Sequence, residues 1–140
     1  MMRRLEAIGQ LAWELGVRLM VDAEHTYFQP CIDQAVLRLQ RKYNATYPAV
    51  FGTYQAYLVD CNARLETDLE RARREGFHLG AKLVRGAYMV HERERAAKLG
   101  YVDPIQPSVE ATHASYNQVR PPRTPATAGG ATPPAQPTPG

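Results

Sequence analysis

Apolar positions in this chain follow two alternating rhythms. Three short runs are mainly apolar, at residues 18–23, 49–53 and 79–85. Runs of this length read as strands buried on both faces. Their starts are 31 and 30 residues apart. Between them the apolar residues recur at helical spacing. Residues 29–42 place Ile32, Val36 and Leu39 on one face, with Ala35 beside them, and residues 57–75 place Leu58, Cys61, Leu65, Leu69 and Ala72 on one stripe. An opening helix over 2–15 is expected to bury Leu5, Ile8, Ala12 and Leu15 and to stop at Gly16. Gly76 follows Arg73, Arg74 and Glu75 and reads as a helix C-cap.

The resulting order is α-βα-βα-βα, which implies a parallel sheet covered by helices. A repeat of about 30 residues matches one unit of a (β/α)8 barrel. An open doubly wound sheet has a similar rhythm, but no Gly-rich dinucleotide or phosphate-loop motif follows any strand. The expected fold class is therefore α/β, a partial (β/α)8 TIM-type barrel of about three βα units. Further along, residues 91–98 alternate in charge and are expected to form a solvated helical face with i,i+4 pairs. Residues 101–107 hold two prolines and read as a loop, after which Ser108 is placed to cap a short helix containing Glu110.

Composition divides the chain in two. Residues 118–140 carry 7 of the 11 prolines and Arg120 and Arg123 without an acid, which supplies +2 of the net +3. That segment is expected to be a disordered Pro/Thr/Ala-rich tail, whose 121–125 stretch could dock on a Pro-recognition domain. Residues 1–117 form the barrel domain and are nearly neutral, with mixed charges, which argues against a nucleic-acid footprint. No apolar run reaches membrane-spanning length, and Met1 to Glu6 read as a helix start rather than a targeting segment. Cys31 and Cys61 lie on apolar helical faces without a CxxC pair and are expected to be buried free thiols. His25 is expected at the surface, and His78, His91 and His113 have no metal-ligand spacing.

The polar residues of interest gather at the C-terminal strand ends, where barrel enzymes place their sites. The first strand ends in Asp22-Ala23-Glu24, the second in Thr53-Tyr54-Gln55, and the third carries Lys82 and Arg85 before Gly86-Ala87-Tyr88. Alternation puts Asp22 and Glu24 on one face and Lys82 and Arg85 on opposite faces. Lys82 is the inward residue by phase and needs an anion, supplied either by Asp22 or Glu24 as a structural pair or by a ligand. Gly86 and Ala87 permit either a close backbone approach to a ligand or a turn.

These residues carry a family resemblance. The segments 19–24, 53–58 and 81–88, followed by 100–105 and 110–112, resemble proline dehydrogenase (proline oxidase), most closely the mitochondrial animal type, over about residues 1–117. The hydroxyproline-specific branch matches less well around residues 27–30. The resemblance implies a flavoprotein that oxidises L-proline to pyrroline-5-carboxylate and passes electrons to quinone at the matrix side of the mitochondrial inner membrane, with hydride leaving the proline ring carbon for flavin N5. It implies FAD as cofactor, with Asp22 and Lys82 near the reacting groups, Gln55 bonding the isoalloxazine edge, Arg85 a second cation, Gly86 and Ala87 close to the cofactor, and Tyr88 walling the pocket. The family's late helix, with an Arg-Arg pair and a Glu that clamp the substrate, has no counterpart here. Position 52 is Gly where the animal enzymes carry Asn. The isolated chain is thus expected to be inactive. Two other readings remain at this point: a barrel enzyme with Lys82 as a Schiff-base nucleophile, and a non-catalytic fragment that binds the full-length enzyme.

Overall fold

The computed structural model describes residues 2–119. Its elements are α1 (Met2–Glu14), β1 (Leu19–Val21), α2 (Gln29–Tyr43), β2 (Val50–Gln55), α3 (Cys61–Glu75), β3 (Ala81–Val84), α4 (Met89–Leu99) and α5 (Val109–Val119). The three strands form one parallel sheet in the order β1-β2-β3, with Leu19 opposite Val50 and Gly52 opposite Ala81. Three consecutive βα units on one parallel sheet are the arrangement of part of a (β/α)8 barrel. α5 runs on to Val119, past the compositional boundary at 117; the expected tail beyond it lies outside the described residues.

The helix ends follow from local chemistry. Gly76 and Gly100 adopt left-handed φ of 75° and 72°, and their N–H groups bond the carbonyls of Ala72 and Ala96. The Ser108 hydroxyl accepts a hydrogen bond from the Ala111 N–H at 3.1 Å and caps α5. α3 starts only at Cys61, because residues 56–60 turn instead. Ala56 and Tyr57 donate their N–H groups to Val84 and Arg85, and Leu58 bridges to Ile105.

Successive strand residues meet opposite surroundings. On the outer face, a Cβ on Gly52 would lie 2.9 Å from Val36 of α2, and the Tyr54 hydroxyl donates to Asp68 of α3 at 2.8 Å. Burial beside that carboxylate pushes the Tyr54 phenol far above its usual range. Ala56, Tyr57, Leu58, Cys61 and Ile105 form one buried cluster, and Leu39, Tyr43 and Val50 another. The inner face has no such cover, and Met20 is 54% exposed. Position 52 therefore bears on the packing of β2 against α2.

Three expectations change. α1 rests on α2 through Leu5 and Gly9, with Gly9 tight against the Tyr43 ring, and Ala12 is buried, while Ile8 and Leu15 are exposed. Leu69 is likewise exposed. Cys61 is buried, and burial pushes its thiol up to about 11, but Cys31 is exposed in the first turn of α2.

At the N-terminal end of the sheet two buried amides tie the layers together. Asn44 donates from Nδ2 to the carbonyls of Val50 (2.9 Å) and His78 (2.8 Å), and its Oδ1 accepts from the N–H groups of Ala49 (3.0 Å) and Val50 (2.8 Å). Gln40 donates to the carbonyl of Gly80 at 2.8 Å. Every hydrogen-bonding position of the Asn44 amide is filled.

Candidate functional site

A cleft of about 370 Å³ opens at the C-terminal strand ends, lined by residues of β2 and β3 and of the loops after β1 and β3. The seven candidates Asp22, Gln55, Lys82, Arg85, Gly86, Ala87 and Tyr88 all border it, together with Glu24 and Thr53. Strand alternation explains the convergence: Asp22, Thr53, Gln55, Lys82 and Val84 share the inner face. Thr53 donates to the Val21 carbonyl at 2.8 Å, and Gln55 donates from Nε2 to the Glu24 carbonyl at 2.9 Å, so both buried side chains fix the end of β1 against β2.

The Lys82 ammonium donates to the Asp22 carboxylate. The anion it requires is therefore present within the chain. Arg85 goes the other way, since β3 ends at Val84. Its Nε donates to His113 Nδ1 at 3.1 Å, and its guanidinium lies 4.3 Å over the Tyr116 ring, both on α5. It stands at the rim with its cation turned outward.

Gly86 has φ 131°, and a Cβ there would lie 2.3 Å from the Tyr57 ring. Its freedom is used to pass over Tyr57, an internal contact that a side chain would obstruct. Tyr57 is completely enclosed, and its hydroxyl is the only buried side-chain polar atom among the described residues without a hydrogen-bond partner. Burial, reinforced by the Glu92 charge, pushes that phenol up to about 12. The Tyr88 phenol is held above its usual range mainly by the neighbouring Glu24 carboxylate.

Two readings of the surrounding residues are corrected. His25 is half-buried, packed 4.2 Å from the Tyr88 ring and 5.3 Å from Tyr27. The face of α4 is not wholly solvated, because Glu92 is fully buried. Its oxygens accept from the Thr26 N–H and hydroxyl, each at 2.7 Å. The α4 cations pair outside the helix, Arg93 with Asp103 at 3.2 Å and Arg95 over the Tyr27 ring. The signal for Glu92 was its place on the Met89-Glu92-Ala96 stripe, where helical spacing puts all three on one face, Glu92 and Ala96 buried and Met89 packed on the Tyr57 cluster. Among the described residues no cluster of His, Cys, Asp or Glu could hold a metal, and no helix is long and apolar enough to cross a membrane.

Comparison with known proteins matches this arrangement. A family model described as proline dehydrogenase covers residues 2–121. The chain is 54% identical over 118 residues to mitochondrial proline dehydrogenase 1 of Homo sapiens, covering 84% of this chain and 20% of that protein. It is 53% identical over 118 residues to the Drosophila melanogaster protein of the same name, covering 84% and 17%. The chain thus spans about a fifth of the length of these curated relatives. Its fold superposes with a TM-score of 0.77 on the crystal structure of proline utilization A from Bdellovibrio bacteriovorus inactivated by N-propargylglycine, at 24% identity, over 84% of this chain and 12% of that one.

Proposed function

The chain belongs to the proline dehydrogenase family, and on that premise we propose that it carries part of the site for FAD-dependent oxidation of L-proline to pyrroline-5-carboxylate in mitochondria. The observation that carries the reading is the single cleft into which all three strand ends bring Asp22, Gln55 and Lys82. Its donor set suits a flavin ring edge, which offers carbonyl and nitrogen acceptors and gains negative charge on reduction. A Lys ammonium and a Gln amide supply complementary donors there. Bound FAD would supply the hydride acceptor for the proline ring carbon.

The chain's own residues would hold and orient. Asp22 keeps the Lys82 ammonium on the inner face, where it would oppose developing negative charge. Gln55, anchored on the Glu24 carbonyl, keeps its second N–H and its oxygen for the ring edge. Tyr88, packed at a tilt against the His25 ring, would close one side against water. Arg85 would act from the rim, since His113 and Tyr116 hold its guanidinium away from the cleft. Quinone as electron acceptor and attachment at the inner membrane belong to the same reading.

The uncovered inner face sets the limit of the proposal. With Met20 open to water, the described residues leave a bound ring solvated on one side, so residues 1–140 alone are proposed not to turn over proline. The test is to express the chain with added FAD and to assay flavin retention and proline-dependent dye reduction. Weak or partial flavin retention without dye reduction is expected. Robust dye reduction would overturn the inactivity, and complete indifference to FAD would overturn the flavin site.

A further inference from the structure

Glu92 is the one fully buried carboxylate among the described residues, and no Lys or Arg lies within ion-pair distance of it. Its oxygens converge on a single residue 66 positions earlier in the chain: Oε1 accepts the Thr26 N–H and Oε2 the Thr26 hydroxyl, both at 2.7 Å. His25 Nδ1 stands 3.5 Å from Oε1. Among the described residues, every hydrogen bond between the loop after β1 and α4 ends on this carboxylate. An apolar side chain would fill the Met89-Glu92-Ala96 stripe without the desolvation of a charge. What the carboxylate adds is direction: two acceptors that fix both the backbone and the side chain of Thr26.

The loop it grips is one wall of the cleft. Glu24, two residues before Thr26, receives the Gln55 amide on its carbonyl and gives its N–H to Gln29 Oε1, each at 2.9 Å. Asp22, two residues earlier again, receives Lys82. We propose that Glu92 is a positioning residue which, through Thr26, holds the Asp22–Glu24 wall in the register that places Lys82 and Gln55 in the cleft. Its consequence for flavin binding rests on the function proposed above, but its consequence for the wall does not.

Amide hydrogen exchange of residues 1–140 tests the wall directly. Thr26→Val removes one of the two bonds, and Glu92→Gln keeps the shape while removing the charge. Both are expected to speed exchange at the Glu24 and Thr26 amides about tenfold or more while the β2 amides keep their rates. Thr26→Ser, which retains the hydroxyl, is expected to restore wild-type exchange. Equal acceleration throughout the chain would show a merely structural carboxylate and overturn the proposal, as would no acceleration at Glu24 and Thr26. In a parallel titration with FAD, followed by quenching of flavin fluorescence, Thr26→Val is expected to weaken binding about tenfold and Thr26→Ser to leave it unchanged. Absence of FAD binding by the unsubstituted chain would overturn the flavin site alone, and the exchange pattern would still decide the role of Glu92.

Discussion

The two ends of the sheet are both polar, and they differ in whether their polar groups are used up. At the N-terminal end, Asn44 and Gln40 are buried, and the Asn44 amide spends all its hydrogen-bonding positions on backbone. At the C-terminal end, Asp22 and Lys82 form a pair open to water, and Gln55 keeps unused capacity beside a cleft. Saturated polar groups hold structure together, whereas unsaturated ones beside a cavity can still bind something. A barrel divides its two ends in the same way, with stability at one and chemistry at the other.

Substitutions can test this division. The largest effect is expected from Asn44→Ala, which strands the buried Ala49 and Val50 N–H groups and takes a donor from the His78 and Val50 carbonyls, leaving Val50 only Gln40. It should cost about 4 kcal/mol of unfolding free energy, read by urea denaturation of the chain. A loss under about 1 kcal/mol would show that this end is not the clamp its geometry describes. Gly86→Ala adds a methyl against the Tyr57 ring at a φ that disfavours it. A cost of about 2 kcal/mol is expected by the same measurement, which would show that one position in the cleft rim serves packing. The smallest change in stability, within about 1 kcal/mol, is expected from Lys82→Met, because the Asp22 carboxylate it pairs with is largely exposed. That substitution should nonetheless weaken FAD retention about tenfold, so the comparison sharpens if stability and binding separate here and breaks if they move together.

Much of the cleft end was legible from the sequence, and little of the opposite end was. Period-two alternation alone turned Lys82 inward and opposed it to Arg85, because a strand offers each side chain only two directions, but it left the anion open between Asp22, Glu24 and a ligand. The same rule missed that Gly86 serves Tyr57, since that contact joins residues on different elements. Asn44 and Gln40 stand in a polar stretch at the end of α2 that resembles an ordinary solvated terminus. Their partners are backbone groups of β2 and the segment before β3, which no side-chain pattern advertises. Glu92 was hidden for a related reason: a charged residue in a charge-rich helix reads as surface until Thr26, far away in sequence, is brought beside it. Cys31 erred the other way, because helical periodicity finds an apolar stripe without showing how far cover extends over the first turn.

The Asn44 clamp also bears on the order in which the chain assembles. Its bonds to Ala49 and Val50 close loops of five and six residues, whereas its bond to His78 spans 34. Chain-closure entropy makes the longer contact about 1.5 kcal/mol harder to form. The α2–β2 corner can therefore organise first and offer the Nδ2 donor to which the segment before β3 later attaches. On this account Asn44 is expected to act as a nucleation residue, so that Asn44→Ala slows refolding more than it speeds unfolding in stopped-flow measurements.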